Sequence, residues 1–173
     1  GDAGLGSNTV LATVAVTAVN DEQVLNTNTG ITVLEGSVDN VITTAMLQTT
    51  DVDNTAGQLV YTLSSIPTNG ALRLNGGNLS VSSTFTQADI DSGLITYSHN
   101  GTETASDSFS FTVDDGVGTT SIGTFNIIVT PVNDNAPIIT SNGGGATANI
   151  NVAENSTAVT TVTASDADLP PQS

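Results

Sequence analysis

Short segments in which apolar and polar residues alternate follow one another along most of this 173-residue chain. In an extended strand successive side chains point to opposite faces, so a segment of this kind predicts a strand with one buried face. Clusters of Gly, Asn, Asp and Pro separate the segments and predict tight turns. The segments, in chain order, are TVL, LVYTL, ALRL, LITYS, SFSFTV and FNIIVT. Strands this short and this closely spaced predict an all-β fold.

The composition supports the same fold class. Hydrophobic residues make up 37% of the chain but aromatic residues only 3%, and Trp is absent, so we expect a core of Val, Ile, Leu and Ala. Residues 85–93, FTQADIDSG, are compatible with one helical turn, and no segment predicts a long helix. These features predict an antiparallel Greek-key β-sandwich of immunoglobulin-like type.

The chain also matches itself. Residues 1–21 align without gaps on residues 114–134, and five of the last six positions are identical. Further along, ITVLEGS resembles INVAENS, and DVD resembles DAD. Such matches indicate a tandem array of modules. We therefore interpret residues 1–21 as the C-terminal strand of a preceding repeat, 22–134 as a complete repeat, and 135–173 as the N-terminal strands of a following repeat.

Net charge excludes several classes of partner. One Arg, no Lys and seventeen acidic residues give a formal charge of -16, which argues against binding nucleic acid or an anionic membrane surface. A cation is the natural partner of such a chain. Cys is absent, so disulfides are excluded. No apolar run reaches the roughly 18 residues of a membrane span, so we expect no membrane insertion.

Acidic and amide oxygens gather near the predicted module ends. VND closes one repeat, and a Glu and a DxD pair lie near the opening of the next. Calcium takes about six to eight oxygen ligands, and segments that meet at a joint can supply them together. Each of these residues is also compatible with an ordinary turn or helix-cap role, because Asn and Asp are common in both.

The same residues resemble a known family. VNDNAP, VAEN and SDAD resemble the interdomain calcium signature of cadherin repeats. The central part resembles the cadherin-like repeat of chondroitin sulfate proteoglycans, through LEGS, LVYTLSSIPTNGALRL and DSFSFTVDDG. The resemblance implies tandem cadherin-like repeats of a large extracellular surface protein or adhesin, and we expect a bacterial source because similar arrays occur in bacterial surface proteins.

The resemblance also implies a set of calcium ligands. The family binds calcium between consecutive repeats through a linker, a Glu of the first strand and an Asp-x-Asp after the second strand. Pro131 and Ala18 stand where the family linker has Asp, and the family's Asp-Arg-Glu motif is absent. The implied ligands of the second joint are Asn133, Asp134, Asn135, Glu154, Asp166 and Asp168. Those of the first joint are Asn20, Asp21, Glu35, Asp51 and Asp53, with Asp114 or Asp115 as a substitute from within the repeat.

Catalysis has little support in the sequence. His99 is the only His, and a hydrolytic triad would pair it with Ser98 or Asp107. No nucleophile-elbow sequence is present, so we expect no enzymatic activity and interpret His99 as a residue beside a turn.

We therefore predict a secreted or cell-surface structural and adhesive module whose joints are stiffened by calcium into an extended rod or fibre. Its expected partners are neighbouring repeats of the same or identical chains, and a cell-surface protein or glycan. Two alternatives stay open. One is a carbohydrate- or ligand-binding sandwich that uses Tyr61 and Tyr97, since Phe85, Phe109 and Phe111 are expected in the core. The other is a filament subunit in which residues 1–21 complete the sandwich of another chain.

Overall fold

The structure is a computed structural model that describes residues 12–168. Strands dominate this range, and its one helix is a single short segment. The elements in chain order are β1 (Val24–Asn28), β2 (Ile31–Leu34), β3 (Asn40–Val41), β4 (Leu47–Thr50), β5 (Val60–Ser65), β6 (Gly70–Leu74), β7 (Gly77–Asn78), β8 (Thr84–Thr86), α1 (Gln87–Asp91), β9 (Ile95–His99), β10 (Ser106–Asp114), β11 (Ser121–Thr130), β12 (Ile138–Ile139) and β13 (Ala164–Ser165).

Strands β1–β11 form two main sheets and a two-stranded ribbon. One sheet has the order β2-β11-β10-β5-β8, and the other has the order β3-β9-β6-β7. The ribbon pairs β1 with β4. Every pairing is antiparallel except that of β2 with β11, which is parallel. The predicted all-β sandwich is confirmed, with this one parallel pair as a local exception.

A glycine separates β1 from β2 and allows the chain to leave the ribbon for the larger sheet. Gly30 has a φ of 78°, and a Cβ at this position would overlap the carbonyl oxygen of Asn126. Only Gly tolerates both the left-handed backbone and the close approach. After this residue β2 runs beside β11, with Leu34 paired to Thr130. The C-terminal ends of the two strands therefore lie at the same end of the sandwich.

The core contains all the aromatic residues of the chain, which differs from the aliphatic core expected from composition. Tyr61 stacks on Phe85 with ring centroids 4.9 Å apart, and Phe109 stacks on Phe125 at 5.1 Å. Strand alternation brings them inward, because the aromatic residues of β10 are two positions apart. The buried aromatic residues are Tyr61, Tyr97, Phe85, Phe109, Phe111 and Phe125. Tyr61 and Tyr97 are therefore unavailable as platforms for a glycan.

The predicted helical turn is α1. It begins with a capping box, in which the Thr86 side chain accepts from the Asp89 N–H and the Asp89 carboxylate accepts from the Thr86 N–H. These bonds satisfy N–H groups that a helix start leaves unpaired. Within residues 12–168, no helix is long and apolar enough to cross a membrane.

The two flanking segments carry little regular structure. Residues 12–23 are not in a strand, and residues 135–168 contain only the short β12–β13 pair. The strand predicted within residues 1–21 is therefore not seen in the described residues 12–21, and residues 1–11 lie outside the described range. The division at residues 21 and 134 stays a prediction.

Candidate metal centres at the two ends of the repeat

Asp168 is hydrogen-bonded to the linker that follows β11, at Asn135. Its Oδ1 accepts hydrogen bonds from the Asn135 N–H at 3.0 Å and from Asn135 Nδ2 at 2.8 Å, and the Asp134 N–H lies 3.4 Å away. Asp166 helps to hold Asp168 in this position, because its Oδ1 accepts a hydrogen bond from the Asp168 N–H at 3.1 Å. The structure thus brings together four of the six residues predicted for the second joint.

Three carboxylates meet at this point, and we call Glu103, Asp134 and Asp168 the second-joint cluster. Each offers an oxygen within 4.8 Å of the others. Asn135 Nδ2 lies 2.6 Å from Glu103 Oε1, 3.0 Å from Asp134 Oδ1 and 2.8 Å from Asp168 Oδ1. An amide nitrogen carries only two hydrogens, so it cannot satisfy all three oxygens at once. The Asn135 amide alone therefore does not balance the negative charge of the cluster.

Burial makes this negative charge more costly at Asp168. The residue is 1% exposed, and its Oδ2 is a buried atom that has no hydrogen-bond partner among the described residues. The side-chain hydrogen bond from Asn135, supported by the N–H groups of Asn135 and Asp134, holds the pKa of the Asp168 carboxyl below its usual value against the effect of burial. Asp168 is therefore ionised at neutral pH, and an ionised buried oxygen without a partner is costly.

Glu35 lies at this second joint, whereas the sequence placed it at the first. Its N–H donates to the Thr130 carbonyl at 2.9 Å, and its Oε2 accepts from the Val132 N–H at 3.1 Å. The parallel pairing of β2 with β11 explains the correction, because it carries the end of β2 to the end of β11. Glu35 is 6% exposed and its Oε1 is also buried without a partner in residues 12–168.

Glu154 is not brought into the second-joint cluster. It is exposed and does not join the group of carboxylates found in the described part of the chain, and Asn133 is also exposed. Glu154 corresponds in sequence to Glu35, and Glu35 lies at the far end of its own repeat from that repeat's DxD pair. If residues 135–173 begin a repeat as predicted, the same relation accounts for the absence of Glu154 from the cluster.

The first joint brings the linker and the DVD turn together. The Asp21 N–H donates to Asp53 Oδ2 at 2.8 Å. Asp51 Oδ1 accepts from the N–H groups of Asp53 at 2.7 Å and Asn54 at 2.8 Å, so it closes the turn. Its other oxygen, Oδ2, is buried and has no partner among residues 12–168.

Asp115, rather than Asp114, faces this joint. Asn20 Nδ2 donates to Asp115 Oδ2 at 3.1 Å, and Asp115 is 7% exposed. The Val117 N–H, and then the Asn20 amide, lower the pKa of the Asp115 carboxyl. Asp114 instead accepts from the Gly116 N–H at 2.6 Å in the turn after β10.

The linker of the first joint has a second attachment that the sequence did not reveal. Glu22 Oε2 accepts from the Thr119 N–H at 2.9 Å and the Thr119 hydroxyl at 2.8 Å. Gln23 is buried, and its Nε2 donates to the carbonyls of Val113 at 3.0 Å and Thr119 at 2.7 Å. The linker is thus fastened to the loop between β10 and β11.

His99 does not form a triad. Its Nδ1 accepts from the N–H groups of Gly36 and Gly101, and its Nε2 lies 3.1 Å from Thr104 Oγ1. Ser98 accepts from the Asp39 N–H instead, and Asp107 accepts from the Tyr97 hydroxyl at 2.9 Å. These contacts give His99 a structural place in the fold.

Known proteins resemble this chain in sequence. A family model described as cadherin-like matches residues 24–129. Human extracellular matrix organizing protein FRAS1 is 38% identical over 117 residues, which are 67% of this chain and 3% of that protein. Human chondroitin sulfate proteoglycan 4 is 40% identical over 111 residues, 64% of this chain and 5% of that protein. The chain thus spans a few hundredths of the length of these relatives.

Solved structures share the fold. Human CDH23 EC21–23 superimposes with a TM-score of 0.50 at 21% identity, covering 88% of this chain and 48% of that one. Protocadherin Gamma B2 extracellular cadherin domains 1–5 give a TM-score of 0.52 at 17% identity, covering 88% and 27%. The sequence relatives named here are human proteins, so they give no support to the expected bacterial source.

Proposed function

The chain belongs to the cadherin-like family, and from this membership we propose that it is a module of an extracellular tandem array whose joints are stiffened by calcium. The coarse part of this function rests on its relatives, which are named as extracellular matrix proteins and a proteoglycan. The module is accordingly extracellular, structural or adhesive, and related to proteins that are not enzymes. The calcium part rests on the second joint.

The observation that carries the calcium proposal is the buried Asp168 oxygen that lies beside two further carboxylates. The backbone N–H groups of Asp134 and Asn135 and the Asn135 amide all donate to Asp168 Oδ1, and Oδ2 keeps no partner in the described residues. The chain has a single Arg and no Lys. That residue, Arg73, pairs with Asp39 at 3.2 Å. A bound cation would offset the charge of the cluster.

Calcium suits this donor set because it is a hard cation that prefers carboxylate and carbonyl oxygens. Glu103 and Asp134 of the repeat, together with Asp168 of the following segment, would hold it. Glu35 offers a further buried oxygen close to the linker. When bound, the ion supplies positive charge that joins the loop before β10, the linker and the turn after β13.

The same ion would restrict the hinge between repeats. Without it, the three carboxylates repel one another and the linker is held by few hydrogen bonds. With it, the repeat and the segment that follows share one set of ligands, so a string of sandwiches becomes an extended rod. In this proposal residues 22–134 are one repeat, 1–21 end the preceding one and 135–173 begin the next.

A corresponding site at the first joint would use Asp51, Asp53 and Asp115, with Asn20 and Asp21 from the linker. Asp51 Oδ2 is its buried oxygen without a described partner. No group of three carboxylates within 4.8 Å is found there in residues 12–168. We therefore propose that this joint binds calcium more weakly than the second.

The partners that follow from this function are neighbouring repeats and components of the extracellular matrix. The matrix partner is suggested by the names of the relatives alone. A platform of exposed aromatic side chains for a glycan does not exist in this chain, because all its Phe and Tyr residues are buried.

Thermal melting and small-angle scattering of the whole chain test the proposal. We expect calcium to raise the melting temperature and increase the maximum dimension relative to a chelator, because only the folded joint binds the ion. Magnesium at the same ionic strength is the control for charge screening, since it keeps its waters and prefers a smaller octahedral site. Equal melting temperature and equal dimensions in calcium and in chelator would refute the calcium-stiffened rod.

A further inference from the structure

His99 lies between the two segments of the repeat that bring acidic side chains to the second joint. One segment is the turn after β2, where Glu35 precedes Gly36, and the other is the loop that carries Glu103. We propose that His99 is a positioning residue that holds both segments for calcium. This inference rests on the calcium joint proposed above.

The imidazole is hydrogen-bonded to both segments. Nδ1 accepts from the Gly36 N–H at 3.1 Å and from the Gly101 N–H at 3.2 Å. Nε2 lies 3.1 Å from the hydroxyl oxygen of Thr104. Because His99 is 3% exposed, water does not compete effectively for these bonds.

The bonds fix the protonation pattern of the ring. A nitrogen that accepts two N–H groups carries no hydrogen, so the single hydrogen of the neutral ring is on Nε2 and donates to Thr104. The Thr104 hydroxyl is then free to donate to the Thr102 carbonyl, 3.4 Å away. Thr102 in turn donates its N–H at 3.1 Å and its hydroxyl at 2.7 Å to Asn100 Oδ1. The loop is thus folded around the imidazole.

This loop has no strand or helix between β9 and β10, and Glu103 lies within it. Its shape therefore depends on the hydrogen bonds just described. On the other side of the ring, Gly36 follows Glu35, whose Oε1 lacks a partner in the described residues. Groups that orient metal ligands without touching the metal typically contribute about 10- to 100-fold to metal affinity.

Three substitutions separate the contributions of the ring. His99→Leu removes every polar contact. His99→Asn keeps an acceptor near the position of Nδ1, whereas His99→Gln places its amide near Nε2 and loses the acceptor for Gly36 and Gly101. Thr49→Val is the matched control, because it removes a buried hydrogen bond, to Tyr61 at 2.6 Å, away from the second joint.

The measurement is a calcium chloride titration of the chelator-treated chain, followed through the backbone amide resonances of Asn135 and Asp168. We expect about 10- to 100-fold weaker binding for His99→Leu and His99→Gln. We expect binding close to wild type for His99→Asn and for Thr49→Val. In the wild type, the nitrogen resonances of the ring should report an unprotonated Nδ1 and a protonated Nε2.

Two results would overturn the inference. One is wild-type calcium affinity in both His99→Leu and His99→Gln, and if His99→Leu fails to fold, His99→Gln alone decides. The other is equal loss in His99→Asn and His99→Gln, because it would mean that the acceptor at Nδ1 is not what positions the ligands. A wild-type chain whose Asn135 and Asp168 resonances do not respond to calcium would refute the proposed function itself, and this inference with it.

Discussion

Replacing Asp168 with Asn removes one charge from the second-joint cluster but keeps an oxygen that can accept the hydrogen bonds from Asn135. The substitution therefore has different effects with and without calcium. In chelator, we expect the variant to be somewhat less stable than the wild type, because folding lowers the pKa of the Asp168 carboxyl and so favours its charged form. In calcium, we expect it to lose most of the stabilisation that the ion provides.

The size of this loss follows from binding linkage. At free calcium about 100 times the dissociation constant, binding to the folded state adds about 2.7 kcal/mol to the free energy of unfolding. A charged buried hydrogen-bonding group contributes about 1.5–3 kcal/mol, which corresponds to roughly a hundredfold change in affinity at its upper end. A site a hundredfold weaker adds only about 0.4 kcal/mol at the same calcium concentration. The expected loss is therefore about 2 kcal/mol.

Urea denaturation of both chains in calcium and in chelator measures the four free energies of unfolding. Asp107→Asn is the matched control, because Asp107 accepts from the Tyr97 hydroxyl and from the N–H groups of Thr68 and Asn69, none of which belongs to the second-joint cluster. It should destabilise the chain equally in both conditions. A calcium increment in Asp168→Asn equal to that of the wild type would refute the assignment of Asp168.

Three further outcomes are expected. Gly123→Val places a side chain on the Phe111 ring, which a Cβ would approach at 2.5 Å, and should cost about 1–3 kcal/mol of unfolding free energy in urea. Folding lowers the pKa values of the Asp115 and Asp168 carboxyls below 3.8, the value in the unfolded chain. The two ionised carboxylates therefore stabilise the folded chain above pH 3.8. This stability is lost as the pH falls through their lower pKa values in the folded chain. Acid titration of the unfolding free energy in chelator checks this, and a flat profile below pH 3.8 would contradict it. Burial raises the pKa of Tyr61 from 10.0 to about 12. The free energy of unfolding should therefore fall as the pH rises above 10, and Tyr61 should stay protonated for as long as the chain stays folded. Ultraviolet absorbance of the phenolate measures this.

The fold could be predicted from the sequence because the strand period is visible in a single chain. LVYTL and SFSFTV become the inner strands β5 and β10, with alternate residues buried. The core composition could not be predicted in the same way. A few aromatic residues suffice when they alternate on neighbouring strands, as Phe109 and Phe111 do beside Tyr61 and Phe125.

The candidate site could be predicted only in part, and each gap has a physical reason. Asp134, Asn135 and Asp168 were found because the repeat recurs in the sequence. The sequence left Asp114 and Asp115 open, and strand alternation favours Asp115, since it continues the buried positions Phe109, Phe111 and Val113 beyond the end of β10. Glu103 lies in an irregular loop, whose path depends on contacts with His99 that no local pattern encodes.

The position of Glu35 at the end of β11 indicates which repeats supply the ligands of a joint. A strand that leaves its ribbon at Gly30 and runs parallel to the last strand carries its terminal Glu away from the repeat's own DxD pair and toward the next repeat. If the array is built as proposed, a joint takes its Glu from the repeat before it and its DxD pair from the repeat after it, so Glu35 would serve the same joint as Asp168. A calcium ion bound by both would therefore depend on two consecutive repeats being docked, which makes its affinity a direct measure of how rigidly they are joined.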